Sequence, residues 1–201
     1  MRKSPIAFCL DLEGVLLPEI WIQVARRFRV EGLKLTTRDE PSYDKLMRYR
    51  LRLLRKEGIR LKDIQRVIGR MRPLPGAAGF LDRLKTEGPV IILSDTYYEF
   101  MRPVMGRLGH PALFCNSLQT DRQGFLSGYR LRQKEGKRKA VRALQGLGFE
   151  VRAAGDSYND LGMLKAADRG VFFNPPAEIR KTHPKLPAAR DYRGLLRILL
   201  A

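Results

Sequence analysis

The chain has 201 residues, 44% hydrophobic and 30% charged, with 39 Lys/Arg against 21 Asp/Glu and a formal net charge of +18. This length suits one large domain, or a domain carrying an insertion, with enough apolar residues for a sizeable core. The balance excludes a disordered chain, and no apolar run approaches the roughly 20 residues that a membrane-spanning helix needs.

Residues 5–11 are predicted as a first buried strand, an apolar run that stops at Asp11 and Glu13. A helix is expected over 19–29, behind Pro18. Residues 43–57 read as an amphipathic helix with Leu46, Met47, Leu53 and Leu54 on one face, and 61–71 as another helix. Pro73, Pro75 and Gly76 then break the pattern. A helix follows over 76–87, then the short strand Val90–Leu93, which stops at Ser94 and Asp95. A helix is predicted over 97–108, ended by Gly109, then a short strand over 112–116 and a hairpin over 117–131 that turns at Asp121 to Gly124. The remaining elements are a helix over 137–147, a strand Val151–Ala154 ending at Gly155 and Asp156, a last core strand Val171–Phe173, and a closing helix over 191–200.

Strands alternating with helices point to an α/β fold with a parallel sheet flanked by helices. The all-helical stretch 17–72 is expected to form a small cap inserted after the first strand, with 1–16 and 73–201 forming the core. In open α/β sheets, ligands bind beyond the carboxyl ends of the strands, and Asp11, Ser94 and Asp156 all fall there. The two cysteines, Cys9 and Cys115, sit in apolar contexts and read as buried thiols in a reducing compartment. His110 and His183 are too few for a histidine metal site. Met1-Arg2-Lys3 resembles the start of a signal peptide, but the apolar stretch behind it is short and broken by Asp11 and Glu13. The expectation is a cytoplasmic protein without a membrane partner.

The positive charge is uneven. Residues 45–72 hold eleven Lys/Arg against two acids, and residues 130–152 hold eight against two. Such patches attract phosphates and nucleic acids, or simply coat solvated helix faces. They lack the interleaved aromatics that stack bases, so a nucleic-acid partner is disfavoured though left open by the charge.

The acids at the strand ends suggest phosphate chemistry with a divalent metal. Asp11 is placed to be a nucleophile that takes a phosphoryl group. Glu13 lies two residues on, so in an extended segment it points to the same side and can protonate a leaving oxygen. A Ser94 hydroxyl can bond a phosphate oxygen, although a helix cap would account for it equally. A lysine is needed to balance the charge, and Lys134 and Lys137 are both candidates. Asp156 suits a Mg²⁺ ligand beside Asp11, while Asp160 either ligates through water or orients the lysine. Arg50 lies on the apolar stripe of its helix and needs a partner, either a substrate anion or an internal carboxylate. Glu19 either binds a substrate ammonium or favours its helix N-terminus.

Taken in order, these motifs resemble the haloacid dehalogenase superfamily, and within it the phosphoserine phosphatases. The likeness is greatest to the bifunctional phosphoserine phosphatase/homoserine phosphotransferase type. It rests on Asp11–Leu16, Pro18–Trp21, Thr36–Asp39, Leu93–Phe100, Tyr129–Lys134 and Ala153–Asp160, and covers nearly the whole chain. Most of the superfamily has Asp where Glu13 stands and Thr where Val15 stands, and this subtype shares both changes. The resemblance implies a Rossmann-like core, Asp11 as nucleophile and Glu13 as acid/base. It implies Mg²⁺ held by Asp11, the Glu13 backbone carbonyl and Asp156, and phosphate held by Ser94 and Lys137 in preference to Lys134. Glu19 and Arg50 would grip the ammonium and carboxylate of O-phosphoserine, with Asp95 and Asn159 completing the pocket and Asp160 in support. Homoserine as a second acceptor and a homodimer are compatible with it. So is a phosphatase of another small phosphomonoester.

Overall fold

The structure, a computed structural model, describes residues 4–36, 39–40 and 42–201. Of the motif Thr36–Asp39, Thr37 and Arg38 lie outside the described residues. The centre is a seven-stranded sheet in the order β4-β3-β2-β1-β5-β6-β7. Its strands are β1 (Ile6–Leu10), β2 (Val90–Tyr97), β3 (Ala112–Thr120), β4 (Leu126–Arg130), β5 (Glu150–Gly155), β6 (Arg169–Phe173) and β7 (Ala188–Ala189). All neighbouring pairs are parallel except β3 with β4.

Period-two alternation along the strands sorts their side chains into two cores. Ala7, Cys9, Ile91, Leu93, Val151 and Ala153 face α6 (Gly136–Gly146), α7 (Leu161–Ala166) and α8 (Ala177–Thr182). Phe8, Leu10, Val90, Ile92 and Ala154 face the other way, toward α4 (Ala77–Lys85) and α9 (Tyr192–Leu200). That second core continues without a break into the helices of the inserted stretch: Ile20 and Val24 of α1 (Ile20–Phe28), Met47 and Leu54 of α2 (Tyr43–Lys56), and Ile64 and Ile68 of α3 (Leu61–Ile68). The two crossings between stretch 17–72 and the rest lie side by side, because the Leu74 N–H donates to the Leu16 carbonyl at 2.9 Å. The β3–β4 hairpin holds both ends of α2 and the start of α3. The Tyr129 hydroxyl donates to Asp44 at 2.9 Å, Arg55 meets Asp121 at 2.6 Å, and the Leu61 N–H reaches the Gly124 carbonyl at 3.0 Å. Among the described residues, no helix is long and apolar enough to cross a membrane.

Three expectations need correction. The helix expected over 97–108 is only α5 (Tyr98–Met101), followed by a 3₁₀ turn at Met105–Leu108. Strand β2 runs on through a bulge to pair Tyr97 with Asn116, and Pro103 has no N–H with which to continue the helix. The strand over 112–116 and the hairpin's first arm are one strand, β3, paired with β2 along its first part and with β4 along its second. Asn116 and Ser117 interrupt the apolar run there, but the Asn116 side chain is fully hydrogen-bonded, so the strand survives. The strand at 171–173 is not the last, since β7 pairs beyond it. Helices α7 and α8 were not expected; at six residues each they are too short for helical periodicity to register. Cys9 and Cys115 are buried as anticipated, and burial pushes both thiols up to about 12.

Tyr192 joins the closing helix to the loop after β1. Its ring stacks between Phe80 and Phe173, at 4.9 and 4.7 Å between centroids, and its hydroxyl donates to the Val15 carbonyl at 2.7 Å. Changing Tyr192→Phe should destabilise the chain by about 1–2 kcal/mol, the cost of one unpaired carbonyl. Tyr192→Ala should cost about 3–5 kcal/mol through the lost ring. Urea denaturation monitored by circular dichroism checks both; a Phe variant as weak as the Ala variant would show that the hydrogen bond, not the stack, holds the loop.

Candidate active site

Strand order alone brings the acids together. Strand β1 lies between β2 and β5, with Leu10 opposite Ile92 on one side and Ala154 on the other. One residue further, the Asp11 N–H still bonds the Ala154 carbonyl at 2.9 Å. Ser94, Asp11 and Asp156 therefore stand in a row at the carboxyl ends of three neighbouring parallel strands. The chain turns sharply after Asp11 at Gly14, which has φ +76°; a Cβ there would lie 2.4 Å from the Asp156 carboxylate. Only glycine lets this loop pass so close to that acid.

Lys137 enters from the first turn of α6 and is buried. Its ammonium donates to Asp11 Oδ1 and to Asp160 Oδ1, both at 2.8 Å, and lies 3.7 Å from Asp95. Burial opposes its charge, but Asp11, Asp160 and Asp95 outweigh burial and hold its pKa well above the ordinary lysine value. Asp160 is fully enclosed. Its Oδ2 accepts from the Asp156 N–H at 2.9 Å and the Ser157 N–H at 3.1 Å, and its Oδ1 is taken by Lys137. Gly155 permits this, since a Cβ there would meet the Asp160 carboxyl at 2.3 Å. Of the two alternatives for Asp160, the geometry favours orienting the lysine. Lys134 is exposed on the wall of a neighbouring cavity, so the lysine at Asp11 is Lys137.

Asp11, Asp156 and Asp160 place carboxylate oxygens within 4.8 Å of one another. Burial first, then Asp160, raises Asp11 well above the usual carboxylate range, and the same two causes push Asp156 up to about 7. Three crowded acids facing one ammonium are short of positive charge, and their hard oxygen donors suit a small divalent cation. With Asp160 saturated, Asp11 and Asp156 are the acids left to hold it.

Glu13 faces the same cavity. Its Oε2 accepts the Ile20 N–H at the start of α1, at 2.7 Å. Burial, then the charge of Glu19, pushes its carboxyl up to about 8. Ser94 is buried, and its hydroxyl oxygen accepts the Thr96 N–H at 3.2 Å, which leaves its proton for a ligand. The cavity over these groups encloses about 310 Å³. Glu19, Asp95 and Asn159 line it too, so nine of the ten residues singled out in the sequence share one cavity, with Asp160 buried beneath.

Arg50 is buried in the cavity wall, and among the described residues no carboxylate pairs with it. It is held by the Leu35 carbonyl at 2.6 Å, the Met47 sulfur at 3.8 Å and the Trp21 ring, 4.4 Å from the centroid. Among the described residues its Nε has no hydrogen-bond partner. Three contributors were not singled out from the sequence. Trp21 carries the Arg50 guanidinium. Tyr43 lines the cavity beside it. Buried Asn116 donates to the Asp95 carbonyl and accepts the Arg132 N–H, both at 3.0 Å, and so ties the end of β2 to the loop that delivers Lys137. An amide inside the run Leu113-Phe114-Cys115-Asn116 is the one signal that could have marked it; Tyr43 carries none.

Comparison with known proteins agrees with this geometry. A family model for haloacid dehalogenase-like hydrolases matches residues 7–168. The chain is 49% identical over 192 residues to phosphoserine phosphatase ThrH of Pseudomonas aeruginosa, covering 96% of this chain and 94% of the relative. It is also 49% identical over 187 residues to a phosphoserine phosphatase of Pseudomonas syringae, covering 93% of this chain and 79% of the relative. In fold it is similar to a solved phospho-aspartyl intermediate analogue of phosphoserine phosphatase, with a TM-score of 0.79, 21% identity, and coverage of 97% of this chain and 99% of the other. With an acid row at the ends of β1 and β5, and sequence matches of this extent, the chain belongs to the haloacid dehalogenase-like hydrolases.

Proposed function

We propose that this chain is a Mg²⁺-dependent phosphoserine phosphatase that works through an aspartyl-phosphate on Asp11. The observation that carries the reading is the Lys137 ammonium on Asp11 Oδ1, which leaves Oδ2 to attack phosphorus inside a cavity that Glu13 and Arg50 also line. The two relatives at 49% identity are named phosphoserine phosphatases, which supports the same substrate.

In the first step Asp11 Oδ2 bonds to phosphorus, and the bond from phosphorus to the serine oxygen breaks. Glu13, held protonated near neutrality by its raised pKa, gives its proton to that oxygen, and serine leaves. In the second step the Glu13 carboxylate takes a proton from water, and the water oxygen bonds to phosphorus. The bond to Asp11 breaks, releasing inorganic phosphate and restoring both acids. Lys137 and the Ser94 hydroxyl hold the phosphoryl oxygens throughout. Mg²⁺, held by Asp11, Asp156 and the Glu13 carbonyl, would offset the phosphate's negative charge. Arg50 binds the substrate carboxylate, and Glu19 its ammonium. Residues 17–72 act as a cap that shields these steps from bulk water, with the paired Leu16 and Leu74 crossings as its hinge.

We extend the proposal to homoserine as an acceptor in place of water. A second cavity opens beside α6 and shares Tyr43, Asp95, Lys137 and Asn159 with the first, giving a second molecule room next to the phosphoryl group.

Phosphorus NMR of O-phosphoserine with enzyme, Mg²⁺ and homoserine should show inorganic phosphate and a new phosphomonoester in one tube. Phosphate without the second signal would remove the transferase extension alone. Asp11→Asn should reduce turnover by about 10⁴-fold or more, and an active variant would sink the covalent mechanism. Because Asp156 and Glu13 sit at about 7 and about 8, the folded chain binds more protons than the unfolded one above the ordinary carboxylate values. Metal-free stability should therefore fall as pH rises through about 4 to about 8, since the unfolded chain gives up those protons first. A cation binds the deprotonated acids, so the melting-temperature gain from Mg²⁺ should be larger at about pH 8 than at about pH 5.5. An equal gain at both values would exclude Asp156 as a ligand.

A further inference from the structure

Tyr43 stands where the two cavities meet and lines both. It is the first residue of α2, two turns before Arg50, so the two side chains project from the same helix face. Its hydroxyl lies 2.6 Å from that of Tyr97, the last residue of β2. Tyr97 is only 1% exposed. A buried phenol must donate its one proton, and among the described residues the Tyr43 oxygen is the partner the Tyr97 hydroxyl has. Because Tyr97 is the more buried and Tyr43 lines the cavity, the orientation that satisfies both hydroxyls once a ligand is bound has Tyr97 donating and Tyr43 accepting. The proton of Tyr43 is left for a group inside the cavity it lines.

Arg50 meets the same space. Its guanidinium lines the same cavity as Tyr43, and among the described residues its Nε has no hydrogen-bond partner. A guanidinium N–H and a phenol O–H from one helix face offer two donors, which is what the two oxygens of a carboxylate require.

We propose that Tyr43, oriented by Tyr97, is a specificity-determining residue that donates its hydroxyl proton to the carboxylate of an amino-acid phosphomonoester alongside Arg50, an inference that rests on the phosphoserine reading above. A phosphomonoester lacking the carboxylate leaves the Arg50 guanidinium and the Tyr43 hydroxyl without that acceptor and is selected against. The pairing also separates this role from simple docking of α2. The link from Tyr129 to Asp44 docks the same helix end, but neither residue lines the cavity over Asp11.

The test compares O-phosphoserine with O-phosphoethanolamine, which differs only by the carboxylate. Tyr43→Phe should raise KM for phosphoserine about tenfold with kcat little changed, and leave kcat/KM for phosphoethanolamine unchanged, as expected for one hydrogen bond to a charged group. Tyr97→Phe should produce a smaller rise, and the double variant should match Tyr43→Phe alone, because Tyr97 acts through Tyr43. Tyr129→Phe should leave both substrates unaffected. A phosphoserine KM within about twofold of the parent in Tyr43→Phe, or an equal loss on both substrates, overturns the proposal. If the parent protein itself fails to turn over phosphoserine, the reading beneath it falls instead, so the two failures are distinguishable.

Discussion

The Lys137 ammonium lies between the carboxylates of Asp11 and Asp160, 2.8 Å from each, in a place where water has little access. Most of the site exists to make that placement tolerable. A buried cation needs acids at hydrogen-bonding distance, and buried acids need donors or a cation to offset their charge. The parallel register of β1 with β5 supplies the first acid, and the capping turn at Ser157 to Asp160 supplies the second. The Asn116 amide supports the loop that carries the lysine in. Removing Asp160 would leave a buried charge uncompensated, an effect of about 3–5 kcal/mol, and would also free the lysine from its one fixed orientation.

The same crowding explains why the neighbouring acids hold protons more tightly than usual. Asp11, Asp156 and Asp160 outnumber the cation among them, and the neighbouring charge of Glu19 raises Glu13 after burial does. Raised acids are a poor arrangement for stability and a useful one for proton transfer and metal capture. The net charge of +18 acts at longer range. A net charge of this size attracts anions in general, and salt screens the attraction.

Much of this was legible in the sequence because strand ends are marked by abrupt changes in polarity. Asp11, Ser94 and Asp156 each follow an apolar run, and such a boundary survives folding in any open parallel sheet. The buried face of α2 was legible too, Arg50 included, since helical periodicity is local. What failed was local in another way. Asn116 looks like a break in a strand and is a structural clamp. Residues 97–108 carry helix formers, yet cross-strand pairing at Tyr97 and the missing N–H of Pro103 outweigh that propensity. Tyr43 and Trp21 show no pattern at all, because their role depends on which residues the fold sets opposite them.

The amino-acid sequence by itself determined the α/β class, the acids at the strand ends and the helical stretch that follows the first strand. All of these depend on short-range alternation and on residues close together in the chain. Only the tertiary structure put the Lys137 ammonium on Asp11, gave Asp160 its place as the lysine's anchor, left Arg50 without a carboxylate partner among the described residues, and set Tyr43 against Tyr97. Each of those outcomes is a distance between residues far apart in sequence, such as the 126 positions from Asp11 to Lys137. Composition and periodicity carry no information about such distances until burial forces every charge and every hydroxyl proton to find a partner.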